Sequence, residues 1–319
     1  MLGGHNATES FGRQGEQGRV RAEPRLRKIS LGLQTFAATL LAGALAFGSP
    51  SSASAAGTVN VLYAGSLVNL MEHGIGPAFG KATGDQFQGY AGGSNKLANE
   101  IKGKLRHGDV FISANPKVND SLMGAANGDW VKWYVAFAQS PLVIGYNRSS
   151  RFAADFKTKP WYQVLEEPGI RIGRTDPKLD PKGALTVELM KQATAHYKTP
   201  DLDQRILGAP ENPAQVLPEE ELVGRLQSGQ LDVGFFYSTE TSDAKIPAIP
   251  LPPAIAPKAV YTITLLDNAP NPSGADAFVA FILGDAGRKL MKEHGLSLVK
   301  PAATGPVPAK VQKLLATAK

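Results

Sequence analysis

Cysteine is absent from the 319 residues. That excludes a disulfide scaffold, a thiolate zinc site, a cysteine nucleophile and a lipid anchor on a lipoprotein cysteine. Histidine is scarce, five in all, and the four beyond residue 55 (His73, His107, His196 and His294) show no metal-ligand spacing. Each reads as a lone surface residue. No Ser-His-Asp order can be assembled, and no nucleophile has an evident activator. The run GPAFGK at 76–81 fails as a phosphate loop, because its glycine spacing is wrong and Ala82 stands in place of the required Ser or Thr. Charged residues make up 19% and hydrophobic ones 43%. That composition describes a globular chain of roughly two domains or one two-lobed unit, neither disordered nor collagen-like. With the catalytic apparatus missing, an enzyme is not expected.

The net charge of +6 invites a nucleic-acid or membrane partner. Arg25, Arg27 and Lys28, however, precede an uncharged apolar stretch at 31–48 and the small-residue run Ser51-Ser52-Ala53-Ser54-Ala55-Ala56. A basic region, an apolar region and an A-x-A site predict a secretory signal peptide over 1–55, cleaved after Ala55. An uncleaved anchor is the competing reading, since the stretch is just long enough to span a bilayer. Residues 1–55 hold six Lys/Arg and three Asp/Glu, so the remaining chain carries 28 basic against 25 acidic side chains. The mature chain is only mildly basic, and no nucleic-acid partner is expected.

Beyond the leader, strands are predicted at 59–63, 86–90 and 109–113. Helical patterns follow at 67–79, 95–105 and 118–126, across short Gly/Ser turns. A strand at 142–146 precedes a restart: strand 170–173, turn 175–182, helices 184–197 and 219–226, and strand 232–237. A proline-rich passage at 246–257, a strand at 259–265 and a helix at 275–294 complete the chain. The alternation predicts an α/β fold with mixed, mostly parallel sheets flanked by helices. Two lobes are expected: lobe I from 56–139 and 258–319, lobe II from 140–257. The ligand would lie in the cleft between them.

One local device recurs. Ser66 and Ser94 each follow a strand and open a helix, and Asp180 and Glu219 sit at helix starts in the second section. Singly these are helix caps. If four such N-termini converged on one cleft, their free N–H groups and dipoles would form an anion site. The carboxylates Asp176, Asp180 and Glu219-Glu220-Glu221 also suit an acid/base pair, but Asp-Pro dipeptides mark turns and acids favour a first helical turn.

The segments Leu62-Tyr63-Ala64-Gly65-Ser66-Leu67, Gly93-Ser94, Gly108-Asp109-Val110-Phe111-Ile112-Ser113-Ala114, Asp176-Pro177-Lys178-Leu179-Asp180-Pro181-Lys182-Gly183, 226–237 (LQSGQLDVGFFY) followed by Ser238, and 284–295 resemble the periplasmic molybdate/tungstate-binding proteins of ABC transporters. The likeness is to their octahedral, tungstate-type branch. It covers nearly the whole mature chain and implies a two-lobed (type II) solute-binding protein that closes over a tetra-oxo anion. Carried over position by position, Ser66 and Ser94 match the serines that hold the anion, and Tyr237 the tyrosine that closes the pocket. Asp180 and Glu219 match the two carboxylates that ligate Mo or W of the anion. Lys182 stands where relatives carry a small residue; it either neutralises the dianion or points to solvent. Leu217-Pro218 and Thr239-Glu240-Thr241 depart from the branch pattern. Glu220 and Glu221 leave the glutamate register open, and Asp176 is the alternative to Asp180.

The resemblance implies capture of molybdate or tungstate in the periplasm and delivery to an ABC transporter permease in the inner membrane, by a monomer with no cofactor. A buried carboxylate beside a sulfate or phosphate would be repelled by several kcal/mol, whereas Mo and W accept hard oxygen donors. Two other readings stay open. One keeps the fold and binds another oxyanion (sulfate, phosphate) or a small organic anion. The other is a secreted enzyme using Asp180 and Glu219 as acid and base.

Overall fold

The computed structural model describes residues 57–317, so the segment read as a signal peptide, 1–55, lies outside the described residues. The first section runs β1 (Thr58–Ala64), α1 (Gly76–Thr83), β2 (Gln86–Gly92), α2 (Ser94–Lys102), β3 (Val110–Ser113) and α3 (Pro116–Asp120). The long strand β4 (Tyr134–Tyr146) leads to α4 (Trp161–Val164), β5 (Ile172–Thr175), α5 (Pro181–His196), α6 (Leu202–Leu207), β6 (Val216–Leu217), α7 (Leu222–Gln227), β7 (Val233–Tyr237), α8 (Ser238–Asp243) and β8 (Ala248–Pro250). The chain returns through β9 (Lys258–Leu265), α9 (Pro272–Leu283), α10 (Asp285–Glu293), β10 (Ser297–Thr304) and α11 (Ala309–Thr317).

Strands follow one another in the order β2-β1-β3-β9-β4-β7-β5-β6, with β8 and β10 also pairing with β4. The parallel pairs, β1 with β2 and β3, and β5 with β6 and β7, are those that strand–helix alternation produces. The antiparallel pairs come from β4 and β9. Residues 135–141 of β4 pair with β9, whereas 142–146 pair with β7, so one strand joins two sections of sheet at Pro141 and Leu142. Only 142–146 was expected as strand; the polar Gln139-Ser140-Pro141 breaks the apolar run that signals the rest.

Each section buries both faces of its sheet. Val59, Val61 and Val110 belong to a core that includes Ile75, Phe79 and Phe278, with the Phe79 and Phe278 rings edge-on at 5.0 Å. Leu62 and Phe111 face the other way, onto Leu97, Ile101 and Val118. In the second section Val143 and Phe236 pack on Leu222 and Leu226. Asp232 anchors the entry to β7: its carboxylate accepts from Arg171 Nε (2.8 Å), Arg171 Nη2 (2.9 Å), the Arg171 amide (2.9 Å) and Ser150 Oγ (2.8 Å). Hydrogen bonding to Arg171 draws that carboxyl down to about 2.

The helix expected at 275–294 is two helices. Gly284 is extended (φ −81°, ψ 175°) between α9 and α10, and the chain turns so closely that a Cβ on Gly287 would lie 2.8 Å from Ile282 Cα. His73, His107 and His196 are exposed, as expected. His294 is not: it is half-buried, with Nδ1 3.0 Å from Asp243 Oδ1.

Candidate functional site

Parallel strands direct their carboxyl ends, and the residues that follow, to one edge of a sheet, where α/β proteins place their ligands. Ser66 lies in the one-turn helix Gly65–Leu67 after β1, and Ser94 is the first residue of α2 after β2. Asp180 follows β5, Glu219 opens the one-turn helix Glu219–Glu221 after β6, and Tyr237 is the last residue of β7. Five strands thus deliver the five residues, all of them buried.

The two sections of sheet meet through these residues. Gly93 lies so close to the 179–180 backbone that a Cβ would stand 2.5 Å from the Leu179 carbonyl oxygen. The Lys96 amide donates to that same oxygen (2.9 Å), and Asn95 Nδ2 donates to the Lys178 carbonyl (3.1 Å). A Cβ on Gly65 would overlap Glu219 Oε2, so Glu219 reaches the first section only because residue 65 is glycine.

Two of the expected anion-holding hydroxyls are engaged within the protein. Ser66 Oγ is 3.0 Å from Tyr261 Oη, and Ser94 Oγ accepts from the Ala114 amide (3.1 Å). Asp180 caps α5, its Oδ1 accepting from the Lys182 amide (2.9 Å) and from Thr175 Oγ1 (2.9 Å), with Pro181 at the first helical position. Burial raises its carboxyl above the usual range, against the pull of Lys182.

Lys182 is fully buried and does not point to solvent. Its Nζ donates to Glu219 Oε1 (2.8 Å) and to Glu240 Oε1 (2.8 Å) and Oε2 (2.9 Å). Burial works against that charge, but the carboxylates of Glu219, Glu240 and Asp180 outweigh it and hold the ammonium protonated. Glu240 was not anticipated as a site residue. It lies in α8, where its Oε2 also accepts from the Tyr237 amide (2.7 Å). In the sequence it belongs to the polar run STETSD, and its one signal was the departure from small apolar residues at 239–241.

Of the three consecutive glutamates only Glu219 turns inward, at 5% exposure. Glu220 pairs with Lys96 and Glu221 with Arg225, both at the surface. Asp176 is half-buried, its Oδ1 accepting from the Lys178 amide (2.7 Å). Burial also lifts the Glu219 carboxyl well above the ordinary range. Two buried polar atoms here have no partner: Glu219 Oε2 and Tyr237 Oη. Burial raises the Tyr237 phenol well above its usual value, and the nearby acids Asp180, Glu240 and Glu219 add to the effect. The Tyr237 ring meets that of Tyr261 edge-on at 6.3 Å.

Two clefts flank the cluster. One of about 280 Å3 is lined by Gly65, Ser66, Glu219, Glu240 and Asp243. The other, about 260 Å3, is lined by Gly93, Asp176, Leu179, Asp180 and Glu219. Glu219 borders both, whereas Ser94, Lys182 and Tyr237 line neither. Among the described residues no group of three or more His, Asp or Glu is arranged to hold a metal ion; the ammonium of Lys182 stands between Glu219 and Glu240.

Known proteins share this architecture. The chain is 29% identical over 243 residues to an uncharacterized solute-binding protein of Petrotoga mobilis, covering 66% of this chain and 74% of the relative. It is 27% identical over 278 residues to the molybdate/tungstate-binding protein WtpA of Thermococcus kodakarensis (72% and 78%). The periplasmic molybdate-binding protein of Azotobacter vinelandii superposes with a TM-score of 0.58 at 19% identity, over 76% of this chain and 99% of that one. The sequence profile of one family matches residues 59–297. This chain therefore belongs to the bacterial extracellular solute-binding proteins, carriers of a ligand and not enzymes.

Proposed function

We propose that this solute-binding protein captures molybdate or tungstate, and that Ser66, Ser94, Asp180, Glu219 and Tyr237 form the pocket. The observation that carries the proposal is the pair of buried, unpartnered atoms, Glu219 Oε2 and Tyr237 Oη, at the strand ends where the two sections of sheet meet. A buried polar atom without a partner costs about 1–3 kcal/mol, a cost that a bound ligand removes. A carboxylate oxygen and a phenol together suit a tetra-oxo anion of a metal that takes further oxygen donors: the phenol donates to an oxo group, and the carboxylate ligates the metal. Sulfate and phosphate have no such acceptor orbital, and the acids would repel them. The likeness to a molybdate/tungstate-binding relative at 27% identity supports the same ligand.

Capture proceeds by closure. The lobes are residues 56–139 with 258–319, and 140–257; they rotate about β4 near Pro141 and the returning segment before β9, bringing Gly93 onto Leu179 and Glu219 onto Gly65. Export by the signal at 1–55 places the protein outside the cytoplasm, where the closed form docks on the permease of an ABC transporter. Thermal melts of residues 56–319 test the ligand. Molybdate or tungstate at a thousand times its dissociation constant adds about 4 kcal/mol of stability, and sulfate and phosphate add none. Stabilisation by sulfate or phosphate alone contradicts the proposal. Stabilisation by small carboxylic acids alone favours an organic anion, for which the flanking clefts leave room.

A further inference from the structure

We infer that Lys182 and Glu240 form a fixed clasp that holds Glu219 as a one-oxygen donor, and that Glu240, acting through Lys182, is a positioning residue that sets which oxyanions the pocket admits. The inference rests on the molybdate/tungstate reading for its ligand and on the geometry alone for the clasp.

An ammonium has three N–H donors and no more. Glu240 takes two with its two oxygens, at 2.8 and 2.9 Å, and Glu219 Oε1 takes the third, at 2.8 Å. Nothing is left for an incoming anion, so in this arrangement Lys182 does not touch the ligand, contrary to the role of direct neutraliser. Its effect falls on Glu219: one oxygen is pinned and Oε2 is left without a partner. Glu240 is itself fixed by the Tyr237 amide at 2.7 Å. The clasp thereby ties the carboxylate donor to the residue whose phenol is also unpartnered.

Charge sets the selectivity. Around Glu219 stand Asp180 and Lys182 from the start of α5, Glu240 from α8, and the phenols of Tyr63, Tyr237 and Tyr261. Three carboxylates face one ammonium whose donors are spent. A sulfate entering this pocket meets negative charge and no free cationic donor; a metal centre that accepts oxygen donors meets a ready ligand. Glu240 is what keeps the ammonium occupied. Without its charge, Lys182 turns a free N–H to the pocket and the discrimination weakens.

Three variants of residues 56–319 are to be titrated with tungstate, molybdate and sulfate by calorimetry across pH 5–9: Glu240→Gln, Lys182→Met and the double variant Lys182→Met/Glu240→Gln. In the ligand-free proteins the Glu219 carboxyl is followed by carbon NMR, its signal assigned by its loss in Glu219→Gln. For Glu240→Gln the expected result is a gain of sulfate binding, narrowing the tungstate-over-sulfate preference by at least about tenfold. Lys182→Met should lose tungstate binding and shift the carbon signal of the Glu219 carboxyl, which loses its ammonium partner. The double variant, which lacks the clasp altogether, should stay at least about tenfold weaker for tungstate than the wild type. An unmoved Glu219 carboxyl signal in Lys182→Met overturns the clasp whatever the ligand is. Unchanged anion preference in Glu240→Gln, with wild-type tungstate binding intact, overturns its role in specificity. If the wild type binds neither tungstate nor molybdate, the ligand proposal fails while the NMR comparison of the variants still decides the clasp. Should Lys182→Met not fold, Glu240→Gln carries both measurements.

Discussion

Glu219 concentrates the tension in this molecule: a carboxyl at 5% exposure, half satisfied by Lys182 and half unpartnered. Its folded-state affinity for a proton is raised by burial, as is that of Asp180. A raised carboxyl means that the folded chain binds protons more tightly than the unfolded one. These two groups therefore favour folding in acid, and that contribution falls as pH rises past the ordinary carboxyl range. Glu219→Gln should flatten this slope, leave ligand-free stability at neutral pH unchanged or higher, and reduce stabilisation by ligand; melts at pH 5 and pH 8 measure these effects. Asp232 is the opposite case. Its carboxyl is drawn down to about 2, so its contribution is fully present above the ordinary Asp range and is lost as pH falls through about 2. Asp232→Asn should cost about 1–2 kcal/mol at neutral pH, allowing for the exposure of Arg171. Chemical denaturation checks the value, and the gap to wild type should close in strong acid.

At the scale of elements, Ser66 and Ser94 were legible as candidates because each follows a predicted strand and opens a helix, and Asp180 and Glu219 because each sits at a predicted helix start. Their meeting was not legible, since it depends on strand order, which the alternation of elements leaves open. Glu240 stayed hidden for a related reason: STETSD is a polar run without apolar periodicity, and only the path of β7 into α8 turns its third residue onto a lysine 58 positions earlier. Tyr261, buried in β9 against Ser66, carried no signal beyond its place in the strand predicted at 259–265. The break at Gly284 was also missed, because a single glycine within a periodic run does not by itself announce a stop. Gly93 offers a direct probe of the element contacts. Its φ of −58° suits any residue, but a Cβ meets Leu179 O at 2.5 Å and Asp180 Cβ at 3.0 Å. Gly93→Ala should weaken ligand binding by about tenfold or more while shifting ligand-free stability by less than about 0.5 kcal/mol, because only the closed approach is obstructed. Calorimetry and a melt on the same sample separate the two.

At the scale of the whole molecule, β4 pairs with β9 up to Pro141 and with β7 from Leu142 onward, so two sections of sheet share one strand and meet again at Gly93 and Gly65. The ligand proposed for that junction is an anion whose metal accepts carboxylate oxygens. X-ray absorption at the tungsten edge of the tungstate complex of residues 56–319 tests this most directly. The expected result is a metal shell of about six oxygens, four oxo groups and two longer bonds from Asp180 and Glu219, with one long bond lost in Glu219→Gln. A tetrahedral shell of four equal oxygens, unchanged by that substitution, would contradict it.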